Sequence, residues 1–248
     1  LWTDPEFSFG IPSGHAQNAV VMWSLFALYG QRAWGWLAAL ALISLTGLSR
    51  VYLGVHFPTD VMAGWLLGLL FLGCGLLAEG AILRLFKRYP PFRQVSILLL
   101  LSLALLASGL GARALVQATW SMPPVWIQNA IAATSILPEP FSLHDIVTVT
   151  GALWGLGAGV VLCTRWGGFV PRTTWKERVL RVVIGVIGVL LLWRGLDLLF
   201  TPIAADESAL GYYLRYMAIG LWVGAFPPLL FVRLGLAKPL TLPTAKMA

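Results

Sequence analysis

The strongest constraint on this chain is a series of apolar runs too long and too continuous for a water-soluble core. They fall at roughly 14–30, 34–48, 58–80, 95–118, 145–163, 180–200 and 211–233, and a helix crossing a bilayer needs about 20 such residues. The runs are rich in Leu, Ala and Gly and lack two-residue alternation, which favours helix over strand. Composition agrees: 58% of the 248 residues are hydrophobic and 11% charged, where a soluble domain carries about 25% charged residues. Mean hydropathy is +0.82. A cytosolic domain is excluded, and so is a disordered chain, which would be polar and highly charged. The expected fold is an all-α, polytopic integral membrane helical bundle with about seven transmembrane helices. The first two runs are short for a core of about 30 Å, so tilt or burial among other helices is expected there.

The loops alternate in charge. Arg32, then Arg84, Lys87, Arg88 and Arg93, then Arg165, Arg172, Lys176 and Arg178, and finally Lys238 and Lys246 fall on one side. Asp4 and Glu6, Glu139 and Asp145, and Asp206 and Glu207 fall on the other. Positive loops stay in the cytoplasm, so the basic side is expected inside. The net charge of +7 follows from that bias and needs no nucleic-acid partner. Trp34, Trp36, Trp120, Trp166 and Trp175 lie near run ends, as an aromatic belt would. Gly151, Gly155 and Gly159, with Gly64 and Gly68, form small-xxx-small packing faces. Val125–Ala133 is expected as a short interfacial helix. Cys74 and Cys163 lie within apolar runs, without metal-ligand spacing, and read as packing residues.

Two polar clusters lie on the acidic-loop side. Pro12-Ser13-Gly14-His15 stands directly before the first run. Ser13 is a natural N-cap, and the uncapped N–H groups and helix dipole beyond it favour an anion. Gly14 allows close backbone approach. A His in the first turn opposes the dipole and becomes sensible with an anion beside it. The second cluster is Ser49-Arg50, His56 and Asp60. Arg50 offers a planar fork suited to phosphate oxygens. His56 and Asp60 are four apart around Pro58, a spacing that brings the carboxylate to one imidazole nitrogen and leaves the other for nucleophilic attack. From the residues alone, either His15 or His56 is eligible to attack. Elsewhere, Ser142-x-x-Asp145 is a capping-box pattern, and Arg194 and Asp197 are spaced to pair within the membrane.

Pro12-Ser13-Gly14-His15 and Ser49-Arg50-x5-His56-x3-Asp60 resemble the second and third signatures of the type 2 phosphatidic acid phosphatase superfamily. The flanking Phe9-Gly10 and Ala16-Gln17-Asn18 are similar to a bacterial membrane-bound branch. The resemblance covers residues 7–80. It implies that His56 is the nucleophile and forms a phosphohistidine, that Asp60 orients it, and that His15 protonates the leaving oxygen. Ser13, Gly14 and Arg50 would hold the phosphoryl oxygens, with no metal and no cofactor. Residues 1–11 contain no match to the family's first signature, Lys-x6-Arg-Pro, so the chain is expected to be an N-terminally truncated piece and inactive by itself.

The expected organisation is the C-terminal half of a lipid-phosphatase core at 1–83, a cytoplasmic basic loop at 84–94, and a four-helix membrane extension at 95–248. The expected function is metal-independent hydrolysis of a lipid phosphate or diphosphate, in a bacterial inner or plasma membrane with the site facing the periplasm. The expected partner is the membrane lipid substrate. A lipid phosphotransferase, or a catalytically inactive scaffold or lipid-binding protein, is the alternative. The orientation has a direct test. In a background lacking Cys74 and Cys163, single cysteines at Thr3 and Ser208 are expected to label with an impermeant thiol reagent in intact cells, and one at Gln94 to stay unlabelled. The opposite pattern inverts the topology.

Overall fold

The computed structural model describes residues 10–134, 141–170, 174–200 and 209–239. Phe9 and the acidic residues Asp4, Glu6, Glu139, Asp206 and Glu207 lie outside them, as do Thr3, Arg172, Ser208 and Lys246. The described chain is helical: α1 (Gly14–Gly30), α2 (Ala33–Tyr52), α3 (Pro58–Phe86), α4 (Pro91–Thr119), α5 (Pro124–Thr134), α6 (His144–Arg165), α7 (Trp175–Phe200), α8 (Ala209–Gly224) and α9 (Phe226–Arg233). Two short strands, β1 (Phe169–Val170) and β2 (Lys238–Pro239), pair antiparallel with Phe169 opposite Pro239. Among the described residues, α2, α3, α4, α6, α7 and the stretch Ala209–Arg233 are long and apolar enough to cross a membrane. The 17 residues of α1 rise about 26 Å at 1.5 Å each, a little short of the hydrocarbon core. The all-α fold with about seven spans is therefore observed, and the short helix expected at Val125–Ala133 is α5.

Three local differences from the sequence reading have physical causes. The last run, expected as one span, is broken at Ala225 between α8 and α9. Pro227 and Pro228 lack the N–H that would continue α8, and their rings clash with carbonyls one turn back. In the first turn of a new helix they cost little, and that is where they stand. At α6 the N-cap position falls on Leu143, which makes no side-chain cap bond, one residue after the Ser142 expected there. Asp145 still lies in the first turn, where its charge complements the dipole. Third, the expected Arg194–Asp197 pair forms at 3.2 Å, and Asp197 also takes Arg215 at 2.7 Å. Arg215 is buried and lies 4.7 Å from the centre of the Tyr212 ring, a cation–π arrangement that offsets burial of its charge.

The chain divides into two compact units, one of Leu1–Leu85 with Thr119–Ser142, the other of Phe86–Ala118 with Leu143–Ala248. In the first, α1 and α3 run parallel. The Ser13 N–H bonds the Asp60 carbonyl at 3.0 Å at one end, and the Tyr29 hydroxyl donates to the Glu79 carboxylate at 3.2 Å near the other. Between these ties the helices touch through glycine. A Cβ on Gly64 would stand 2.5 Å from the Ser13 carbonyl oxygen, and one on Gly68 would stand 2.8 Å from that of Gln17. Helix α2 returns antiparallel, with Gly47 against Val61 and Trp65 of α3.

In the second unit, α6 and α8 are in backbone contact along the expected glycine stripe. Gly151 faces the Tyr213 carbonyl, Gly155 that of Met217, and Gly159 meets Gly224. The fully buried Ser102 of α4 donates to the Thr150 carbonyl at 2.8 Å and shares a 2.8 Å hydrogen bond with the Tyr213 hydroxyl. Small residues take this role because bilayer lipid is as apolar as Leu, so helices associate through close packing. Gly155→Ala is expected to lower the unfolding temperature in detergent, since its methyl meets backbone; overpacking typically costs about 1–3 kcal/mol. Gly195→Ala, where a Cβ meets nothing within 4 Å, is expected to hold or raise it by up to about 1 kcal/mol. Equal shifts from both would mean the α6–α8 contact is looser than described.

Candidate active site

Three helix ends build the site. At the start of α1, Ser13 adopts an extended conformation and its hydroxyl caps the helix, accepting the Ala16 N–H at 3.4 Å. The side chain is fully buried, and its own N–H is committed to the Asp60 carbonyl. Ser13 is thus a structural cap, and no surface of it is exposed. Gly14 and His15 follow in the exposed first turn, where backbone N–H groups have no partner inside the helix. No acidic side chain occupies that turn.

The end of α2 sets the path to His56. Leu53 is the C-cap, and Gly54 has φ +73°. The Gly54 N–H bonds the Val51 carbonyl at 3.0 Å, and the Val55 N–H bonds that of Arg50 at 3.2 Å. This is the Schellman arrangement, with glycine in the left-handed position. The Arg50 carbonyl also accepts the His56 N–H at 3.4 Å, so the backbone of one site residue holds that of another. The Arg50 side chain is half-buried, and its Nε donates to the Ser49 hydroxyl at 3.4 Å.

Helix α3 then begins with Pro58, whose fixed φ suits the first helical position. Asp60, two residues later, accepts the Phe57 N–H on Oδ2 at 2.9 Å and the Thr59 hydroxyl on Oδ1 at 3.4 Å. Its Oδ2 lies 3.6 Å from His56 Nδ1, with both side chains buried. The i, i+4 expectation is met, and the carboxylate is immobilised by the helix it opens. Gly10 backs it: a Cβ there would stand 3.3 Å from Asp60 Oδ2.

Ser13, Gly14 and His15 therefore start α1, Arg50 ends α2, and His56 and Asp60 open α3, with direct bonds linking the first group to the third and the second to the third. Gly54 and Thr59 went unremarked in the sequence. The Gly54 signal was present, a glycine just past an apolar helical run; Thr59 carries none beyond adjacency. Among the described residues, no group of three or more His, Cys, Asp or Glu side chains is placed to hold a metal ion.

Residues 1–84 match the family model of the PAP2 superfamily, and residues 147–239 match that of the PAP2 superfamily phosphatase, transmembrane extension. The chain carries a PAP2 superfamily domain and the transmembrane extension of the PAP2 superfamily phosphatases. It is an integral membrane protein. It is 40% identical over 74 residues to phosphatidylglycerophosphatase B of Bacillus subtilis, covering 26% of this chain and 36% of that protein. It is 43% identical over 60 residues to undecaprenyl-diphosphatase of Sulfolobus acidocaldarius, covering 24% of this chain and 29% of that one. The matches thus span about a third of each curated relative. No solved structure matches the chain.

The turn at Gly54 can be tested alone. A Cβ there meets nothing within 4 Å, so a substitution is penalised only through the backbone. Gly54→Val is expected to cost about 1–2 kcal/mol. Gly54→Asn should cost less, because Asn tolerates the left-handed region. Detergent unfolding curves that rank Val at or above Asn would refute the Schellman turn.

Proposed function

We propose that these residues form the catalytic half of a membrane lipid phosphatase, acting on a lipid phosphate or diphosphate at the face opposite the basic loops. What carries this most directly is the double engagement of Asp60. Its main chain receives the Ser13 N–H, and its carboxylate lies beside His56 Nδ1 and is held by the Phe57 N–H. One residue thus ties the proposed phosphate cradle to the proposed nucleophile.

In the proposed reaction, Asp60 keeps the His56 proton on Nδ1, leaving Nε2 to attack phosphorus. The P–N bond forms as the bond from phosphorus to the leaving oxygen breaks, and His15 gives that oxygen a proton. Water then attacks the phosphohistidine. His15 recovers a proton from the water, the P–N bond breaks, and inorganic phosphate leaves. Charge gathering on the phosphoryl oxygens is met by the Arg50 guanidinium and by first-turn N–H groups of α1, without a metal in the scheme. The substrate class rests on the chain being embedded in the membrane and on the names of its relatives. A phosphatidylglycerophosphate-type monoester and a polyprenyl diphosphate both present a terminal phosphoryl group at the headgroup level.

In the full-length protein, His56→Ala is expected to abolish both phosphate release and an acid-labile phosphoenzyme. His15→Ala should slow a lipid phosphate by about 10²–10⁴-fold, the usual worth of general acid help. Phosphoenzyme formation from 4-nitrophenyl phosphate, whose leaving group needs no proton, should be slowed far less, while hydrolysis of the phosphoenzyme slows alike for both substrates. Equal losses in phosphoenzyme formation from the two substrates would remove His15 from the acid role, and a phosphoenzyme surviving in His56→Ala would remove His56 as nucleophile.

A further inference from the structure

The transmembrane extension contains a cavity that the phosphatase chemistry does not use. It is an open groove with a volume of about 850 Å³ along α7, lined also by residues of α8, α9 and β1. Its α7 wall runs from Arg178 through Arg181, Gly185 and Val189 to Leu190, at the three- and four-residue spacing of one helix face. Trp222 forms part of the opposite wall. Its indole N–H donates to the Gly185 carbonyl at 3.1 Å, and its ring lies against Gly188. The break between α8 and α9 contributes Pro227 and Phe231 to the lining. The cavity is in the size range of small-molecule sites, and its walls are almost wholly apolar except at one end.

That end is cationic. Arg178 is exposed, and Arg181 is buried with its guanidinium 6.0 Å from the centre of the Phe231 ring. Both stand in the first two turns of α7, which also carry Trp175 and Lys176. The length of the wall matters equally. Twelve residues from Arg178 to Leu190 rise about 18 Å, slightly more than one leaflet of a core about 30 Å thick. That length matches an acyl chain, which reaches about one leaflet into the core.

We infer that this groove holds an anionic phospholipid from the leaflet on the basic-loop side, its headgroup at Arg178 and Arg181 and an acyl chain along α7 against Trp222. Charge complementarity selects the headgroup and the one-leaflet length selects a lipid chain. This site lies in the extension and is independent of the phosphatase reaction proposed above.

Native mass spectrometry of the full chain in detergent tests it, with phosphatidylglycerol, phosphatidylcholine and glycerol phosphate as probes. Phosphatidylglycerol should be retained over phosphatidylcholine, and glycerol phosphate should not displace it. A basic residue near an anionic headgroup is worth about fivefold in affinity. Arg178→Ala, at an exposed position, should therefore lower phosphatidylglycerol retention by about that factor and leave phosphatidylcholine unchanged. Gly185→Leu should reduce retention of both lipids by filling the groove, and a Cβ there meets no neighbour within 4 Å. Equal retention of the two lipids, full displacement by glycerol phosphate, or no effect of Arg178→Ala would each overturn the inference. So would a dimer lost on Gly185→Leu, which would assign the groove to a second copy.

Discussion

Everything at the site depends on how closely α1 and α3 approach. The Ser13 N–H reaches the Asp60 carbonyl only because Gly64, one turn further along α3, has no side chain. Any larger residue there would occupy the space of the Ser13 carbonyl. The same clearance recurs at Gly68 against Gln17, so the two helices are held parallel over two turns. Parallel packing is what places their N-termini side by side. An antiparallel pair would have put His15 at one face of the membrane and His56 at the other. The glycines of α3 therefore act on the chemistry through geometry, without contributing a functional group.

Much of this was legible in the residues, for reasons that differ from part to part. The spans were visible because a bilayer demands long apolar runs, and the glycine stripes because helix contact in lipid rewards small residues. The Ser13 cap and the His56–Asp60 pair are local, fixed by spacings of three and four along one helix start. What escaped was of two kinds. Some signals were present and outweighed: Pro227–Pro228 sat inside an apolar run whose length argued for one uninterrupted span, and Gly54 sat in a loop whose polar residues drew attention first. Others depend on tertiary partners no spacing reveals. Nothing near Asp197 in the chain points to Arg215, eighteen residues on. The N-cap at Leu143 is equally opaque, because an apolar side chain carries no cap signal.

The two units build their contacts alike and spend polar groups differently. In the extension, Ser102, Thr150 and Tyr213 satisfy one another inside the unit, and Asp197 pairs with two arginines. Such pairing lowers the cost of polar groups in hydrocarbon and leaves little for a reaction to use. In the first unit the polar groups gather at helix ends instead, where backbone donors and acceptors are already uncompensated. That contrast is consistent with chemistry residing in residues 10–85 and with the extension serving packing and lipid contact.

The two parallel N-termini of the first unit are also unequal, and the inequality bears on the proposed reaction. Each helix start carries about half a positive charge. At α3, Asp60 stands in the first turn and compensates it. At α1 the first turn of the helix holds no acid and carries His15, at a place where the dipole favours negative charge. A phosphoryl group supplies it. With the proposed substrate in place, the α1 terminus and the Arg50 guanidinium would both face anionic oxygens. In this scheme the difference between the two helix starts matches the different tasks proposed for the histidines: the one beside Asp60 is oriented for attack, and the one in the first turn of α1 is placed to give the leaving oxygen a proton.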